Sequence, residues 1–211
     1  MEVALNASTL ARLQAETSEL RHRVEAELDL RAETTSWLDY RLYLFRMYGF
    51  FIGAERALAS VEALAQVVPD ASLRNKKIHL LAHDLVALGV ERRDLNELPR
   101  MPTPGFLELP EALGWMYVLE RTTLDSRALA QHLARVLPLE MESAAAFLGC
   151  YGDEVSARWQ SFGVALDAYA SDAGVEDRIV TAALDCLLRL HRWLRPAASH
   201  ARPVVPALRA S

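Results

Sequence analysis

Two cysteines are all that the 211 residues contain, and Cys150 and Cys186 lie far apart with no CxxC pair. Neither a zinc site nor a disulfide framework is indicated, and reduced thiols are the expectation. The nine glycines are scattered, and no GxGxxG or Walker pattern occurs, which leaves no phosphate cradle. A GxSxG elbow is missing and neither cysteine belongs to a recognisable Cys/His arrangement, so nucleophilic catalysis has no support. Basic charge is not in excess either: the formal net charge of -5 argues against a polyanionic partner, because phosphate binding needs a concentrated basic surface. No apolar run approaches the length of a bilayer span, and the opening MEVALNAST lacks the basic flank and apolar core of a signal peptide. A cytoplasmic protein with no nucleic-acid or membrane partner is expected. No alternating β pattern or hairpin signal competes with helix anywhere, so the fold class is all-α.

What the chain does have is apolar helical periodicity. A hydrophobic content of 52% over this length predicts one domain, to about residue 195, followed by a tail over 196–211 expected to be disordered. The centre of the pattern is residues 113–126, LGWMYVLERTTLDS. Its first half is apolar on every side and must run through the middle of the protein. Its second half puts Arg121, Thr122, Asp125 and Ser126 on one face, either a pocket wall or the point where the helix reaches solvent.

Around this segment the spacing predicts further helices. Ser8 or Thr9 caps a first helix with Leu10, Leu13, Thr17, Leu20, Val24 and Leu28 on its buried stripe. Arg21 falls on that stripe, whereas His22 is turned about 100° away from it. A second helix begins at Trp37 and continues through Tyr48-Gly49-Phe50-Phe51, where glycine predicts close packing against another helix. A further helix spans 73–89, stopped by Gly89. Its His79 and His83 have a spacing that can bind a metal, but no HExxH signature or third ligand accompanies them, and a surface or packing role is expected. The prolines between 98 and 110 predict a rigid connector into the central segment. After a break at Pro138 comes a helix carrying Trp159, Phe162, Leu166 and Tyr169, which Gly174 is expected to end, and then a last amphipathic helix from Val180 to Leu194. Carboxylate pairs such as Glu16 with Glu19 and Asp153 with Glu154 read as solvated charge.

Several of these pieces, in this order and spacing, resemble the bacterial heme oxygenase family, particularly the branch that makes biliverdin for bacteriophytochromes. They are residues 17–25; Tyr48-Gly49-Phe50-Phe51 with Glu55; Leu80-Leu81, Asp84-Leu85 and Leu88-Gly89; Leu113-Gly114 through Tyr117-Val118-Leu119-Glu120 with Leu124; and Phe147, Tyr151-Gly152 and Trp159. The resemblance implies two helices that sandwich heme, a proximal histidine on the first, and a glycine-rich distal helix whose backbone lies close to the porphyrin.

The chain departs from that pattern on both helices. The ligand position falls on Arg21, with His22 one residue late, and a protonated guanidinium offers no lone pair to iron. The three distal glycines correspond to Arg121, Asp125 and Ser126, while Thr122 stands where the family has a polar residue that organises distal water. Singly, Arg21 reads as a snorkelling side chain and Arg121 with Asp125 as a surface pair. Falling together on both walls, they suggest that Arg21 faces Asp125 across the former heme site and pairs with it, joined by Arg121. The first reading is therefore a heme oxygenase-like protein without ordinary heme-degrading activity, using the fold for another small ligand or a protein contact. The alternative is an active enzyme that cleaves heme to biliverdin, carbon monoxide and iron, with His22 as axial ligand, an external electron donor and a bacteriophytochrome partner. His132 and His191 are further ligand candidates in that alternative. A structural role in an assembly is a third possibility.

Overall fold

The computed structural model describes residues 8–27, 30–74, 76–103, 105 and 108–195; Leu28 and the tail over 196–211 lie outside them. Among the described residues there is no strand, so the chain is all-α, and no helix is long and apolar enough to cross a membrane.

The first predicted helix is two, α1 (Thr9–Glu16) and α2 (Ser18–Ala26), joined at Thr17. Ser8 caps α1 by accepting the Ala11 amide on its hydroxyl, and Thr17 turns its own hydroxyl back to the Leu13 carbonyl at 2.6 Å. Such back-bonding competes with the helical ladder and is the local reason for the joint. Helix α3 (Trp37–Ala59) runs unbroken through Gly49 and starts at a capping box in which Ser36 and Asp39 bond reciprocally. Gly49 admits both a neighbouring helix, as expected, and the proline-rich connector: a Cβ there would lie 2.6 Å from the Trp193 ring and 2.4 Å from the Pro99 carbonyl oxygen. The Gly49 carbonyl accepts the Met101 amide at 2.9 Å.

Short α4 (Leu64–Val67) and α5 (Ala71–Arg74) lead into α6 (Lys77–Ala87), which Gly89 closes at φ 85°. The stretch expected as one helix from 73 to 89 is thus two. Pro110 belongs not to the connector but to the first turn of α7 (Leu109–Leu124), where its missing N–H removes nothing. Residues 112–120 of α7 are all buried. The central helix stops two residues earlier than expected: Asp125 is its C-cap, and Ser126 opens α8 (Ser126–Val136).

Pro138 starts α9 (Pro138–Ser143) rather than merely ending α8. Helix α10 (Val155–Tyr169) ends well before Gly174. That glycine sits in the first turn of α11 (Ala173–Leu194), because the carboxylate of Asp172 caps the Gly174 and Val175 amides. The two principal helices, α7 and α11, press together at Gly114, where a Cβ would meet the Ile179 carbonyl at 2.4 Å. α3 packs on α6 and α7, and α2 lies along α11. A T-shaped Phe50/Phe51 pair with Trp115 and Phe147 fills the core between α3 and α7.

Candidate functional site

A cavity of about 480 Å³ opens where α2, α3, α7, α8 and α11 converge. That volume lies in the range of small-molecule sites, roughly 300–1,000 Å³. Its composition follows from how each helix meets it. α2 offers Arg21 and Val24, one turn apart on the stripe that also carries Thr17. The end of α7 and the start of α8 bring Arg121, Thr122, Asp125 and Ser126 to the same space. His22, one residue from Arg21, is exposed and does not line the cavity. α11 and α3 supply a different surface: Leu187, Leu190, Leu194 and Met47, with Tyr43 beside them.

The expected Arg21–Asp125 pair does not form: Arg21 makes no ion pair within 4.0 Å among the described residues. Asp125 is taken instead by Arg121, one turn back on its own helical path, at 3.2 Å. Neighbours at i, i+4 meet without crossing a cavity, so the local pair forms before the long-range one. The Arg121 guanidinium also lies over the Trp159 ring, 5.8 Å from its centroid. Both Arg21 and Arg121 keep a buried Nε that finds no hydrogen-bond acceptor. Thr122 and Ser126 spend their protons internally, donating to the Leu119 and Thr122 carbonyls at 2.8 Å each, and retain their oxygen lone pairs.

On the cavity floor Tyr117 and Thr17 share a 2.9 Å hydrogen bond. Thr17 has already given its proton to Leu13, so Tyr117 is the donor in the chain Tyr117, Thr17, Leu13 carbonyl. Burial pushes the Tyr117 phenol upward, and the hydrogen bond with Thr17, followed by the nearby Arg21 and Arg121 charges, pulls it part of the way back. Burial likewise raises Tyr43 well above the ordinary phenol range. Neither tyrosine is a phenolate near neutrality.

The remaining sequence candidates lie elsewhere. His132 faces the Ala32 carbonyl and Arg135, and His191 pairs with Glu27 at 3.0 Å. His79 and His83 are exposed on α6, with His83 turned to Asp84. Cys150 and Cys186 are buried, and burial raises both thiols. The apolar lining from α11 and α3 was outside the sequence-based site. Its trace is the spacing of Leu187, Leu190 and Leu194 and the i, i+4 pair Tyr43 and Met47, which read equally well as core.

Behind α7 lies a second polar centre. Glu120 accepts from Arg74, from Lys77 Nζ at 2.7 Å and from the Tyr151 hydroxyl at 2.9 Å, and all three charged side chains are only 2% exposed. Glu55 caps α6 by accepting the Lys77 and Ile78 amides, and burial lifts its carboxyl to about 7. None of these groups lines the cavity, and their effect is to lock α3, α5, α6 and α7 together.

No family model and no curated protein matches the chain. Among solved structures, the heme oxygenase from Neisseria meningitidis, described in its NO- and CO-bound forms, superimposes with a TM-score of 0.72 over 94% of this chain and 98% of that one, at 20% identity. The chain has the heme oxygenase fold. Within this heme oxygenase fold the polar wall of the cavity belongs to α2 and to the α7–α8 junction, and the apolar wall to α3 and α11. Metal-holding clusters of three or more His, Cys, Asp or Glu do not occur among the described residues.

Proposed function

We propose that this protein uses the heme oxygenase fold to bind a ligand other than iron-coordinated heme, and that ordinary heme degradation is absent. The carrying observation is that Arg21 lines the cavity while His22 lies on the exposed side of the same helix. Bringing His22 inward requires turning α2 by about 100°, which would carry Arg21 and Val24 out of the cavity.

The donor set gives the same answer. No histidine or cysteine is among the lining residues. Guanidinium has no lone pair for iron, both lining phenols are held protonated by burial, and the Met47 thioether belongs to α3, not to the first helix where the resemblance implies the ligand. On the opposite side, Arg121, Asp125 and Ser126 put side chains where the resemblance implies bare glycine backbone. The residues present do not fit an axially ligated heme. The reading calls for neither an electron donor nor a bacteriophytochrome partner.

A hemin titration of the purified protein tests it, followed by absorbance through the Soret region beside His22→Ala. The expected result is a broad spectrum of loosely adsorbed hemin, the same in both proteins. A saturable one-to-one Soret band that His22→Ala abolishes would restore His22 as an axial ligand and overturn the proposal.

A further inference from the structure

We infer that the cavity takes an amphipathic monocarboxylate, its head on the guanidinium of Arg21 and its apolar body on α11. The inference rests on the reading above, that the cavity is a ligand site without iron.

Charge sets the head group. Arg21, Arg31 and Arg121 line the cavity against two carboxylates, Glu25 and Asp125. Asp125 is engaged by Arg121, and Glu25 is exposed. Among the described residues Arg21 is left with no ion pair and a buried Nε without an acceptor, in a side chain that is largely covered. An uncompensated guanidinium in a partly dry site favours a bound anion over water, because charge-assisted hydrogen bonds strengthen as solvent is excluded. Arg21 and Arg121 line the same cavity as Tyr117. The five charged lining residues carry a formal net charge of one positive, which suits a monoanion better than a phosphate dianion. A planar carboxylate also matches the fork of a guanidinium.

Apolar surface sets the body. Leu187, Leu190 and Leu194 repeat along one stripe of α11, and Met47 faces the same space from α3. Three of these four are less than 4% exposed and the fourth is 4% exposed, so the stripe is covered by the fold and still borders free volume. A small polar anion would leave that volume unfilled. A chain or flat ring of carbon attached to the carboxylate removes it from water.

Asp125 makes the site self-limiting. Its carboxylate occupies the Arg121 guanidinium in the free protein, as an internal stand-in for part of the ligand. Removing that charge by Asp125→Asn exposes a second cation, so it strengthens carboxylate binding, whereas Arg21→Gln weakens it. Opposite signs from two neighbouring substitutions are not produced by damage to the fold.

Calorimetric titration of the full chain with sodium decanoate, below its micellar range, tests this, with decanol as the neutral-head control and 2-naphthoate as the flat-ring arm. Expected are saturable one-to-one binding of a carboxylate, a loss of about tenfold or more in affinity for decanol and for Arg21→Gln, and a gain in affinity for Asp125→Asn. Tighter binding of 2-naphthoate than decanoate, with the same Arg21 dependence, supports the inference and selects a ring-bodied ligand. Equal affinity for decanoate and decanol, or no effect of Arg21→Gln, overturns it. If no carboxylate binds while hemin also remains uncoordinated, this inference fails and the loss of heme chemistry stands. A His22-dependent Soret band removes both.

Discussion

Replacing Glu120 by Gln removes a buried charge on which two buried cations depend. The carboxylate holds Arg74 and Lys77, each with a side chain 2% exposed, and also accepts the Tyr151 hydroxyl. Glutamine keeps the shape and one acceptor oxygen but strands two buried cations. Breaking a buried pair from one side costs about 3–5 kcal/mol, because the remaining charge is neither paired nor hydrated. For a domain of this size that corresponds to a fall in melting temperature of roughly 6–20 °C. Urea unfolding followed by far-ultraviolet circular dichroism at pH 7 measures it directly, and a lowered midpoint at unchanged slope is expected. Lys77→Met isolates the cause, since it removes one of the stranded cations. Lys77 Nζ also lies 5.0 Å from the centre of the Tyr151 ring, so this substitution alone carries its own cost. The double variant should nonetheless be clearly more stable than the sum of the two single losses predicts. A loss below about 1 kcal/mol for Glu120→Gln, or strict additivity in the double variant, would refute the reasoning, because the cluster would then behave like a hydrated surface network.

Two other outcomes follow from packing and titration. Gly114→Ala forces a methyl group toward the Ile179 carbonyl at 2.4 Å and the Ala183 amide at 2.8 Å, so it should cost about 1–3 kcal/mol by separating α7 from α11. Gly163→Ala meets only the Leu10 terminal methyl at 2.5 Å, which can move, and should cost much less in the same thermal melt. Burial raises Glu55 to about 7 from 4.5, so the folded state holds this proton more tightly than the unfolded chain. Its contribution is therefore fully present at acidic pH and is lost as pH rises through about 7. Urea midpoints measured from pH 5 to pH 8 should fall in the native protein and run flatter in Glu55→Gln; equal slopes would remove Glu55 as the cause.

Much of this architecture can be read from residue order. The all-round apolar run from Leu113 to Leu119 has no stable place except the interior, and residues 112–120 are buried. The helical phase of Arg21 against His22 likewise separates the cavity-facing residue from the exposed one. Helix breaks were harder to see. Thr17 and Asp125 both keep right-handed helical backbone angles, so the apolar stripe passes through each joint with little change of phase. Gly174 looked like a stop signal, yet the Asp172 cap two residues earlier makes it part of a start. For Asp125 the i, i+4 reading with Arg121 holds and the cross-cavity reading with Arg21 does not. Position along one helix fixes an i, i+4 contact, whereas the span across a cavity depends on how far apart packing holds two helices. The apolar half of the site carried no distinguishing mark, because a leucine facing a void and a leucine facing a neighbour obey the same periodicity.

Helix α2 buries none of its own residues completely, though it forms one wall of the cavity. It is pinned at its ends: Thr17 is tied to Tyr117 at one, and Glu27 to His191 at the other. Between those pins the helix rests on α11 and packs only Leu20 and Val24, both partly buried, against the core, like a stave held by two hoops and a light inner contact. A ligand gripped by Arg21 would draw that stave inward. Occupancy of the cavity would then register as slower amide exchange along residues 18–26, against an unchanged pattern in α7 and α11.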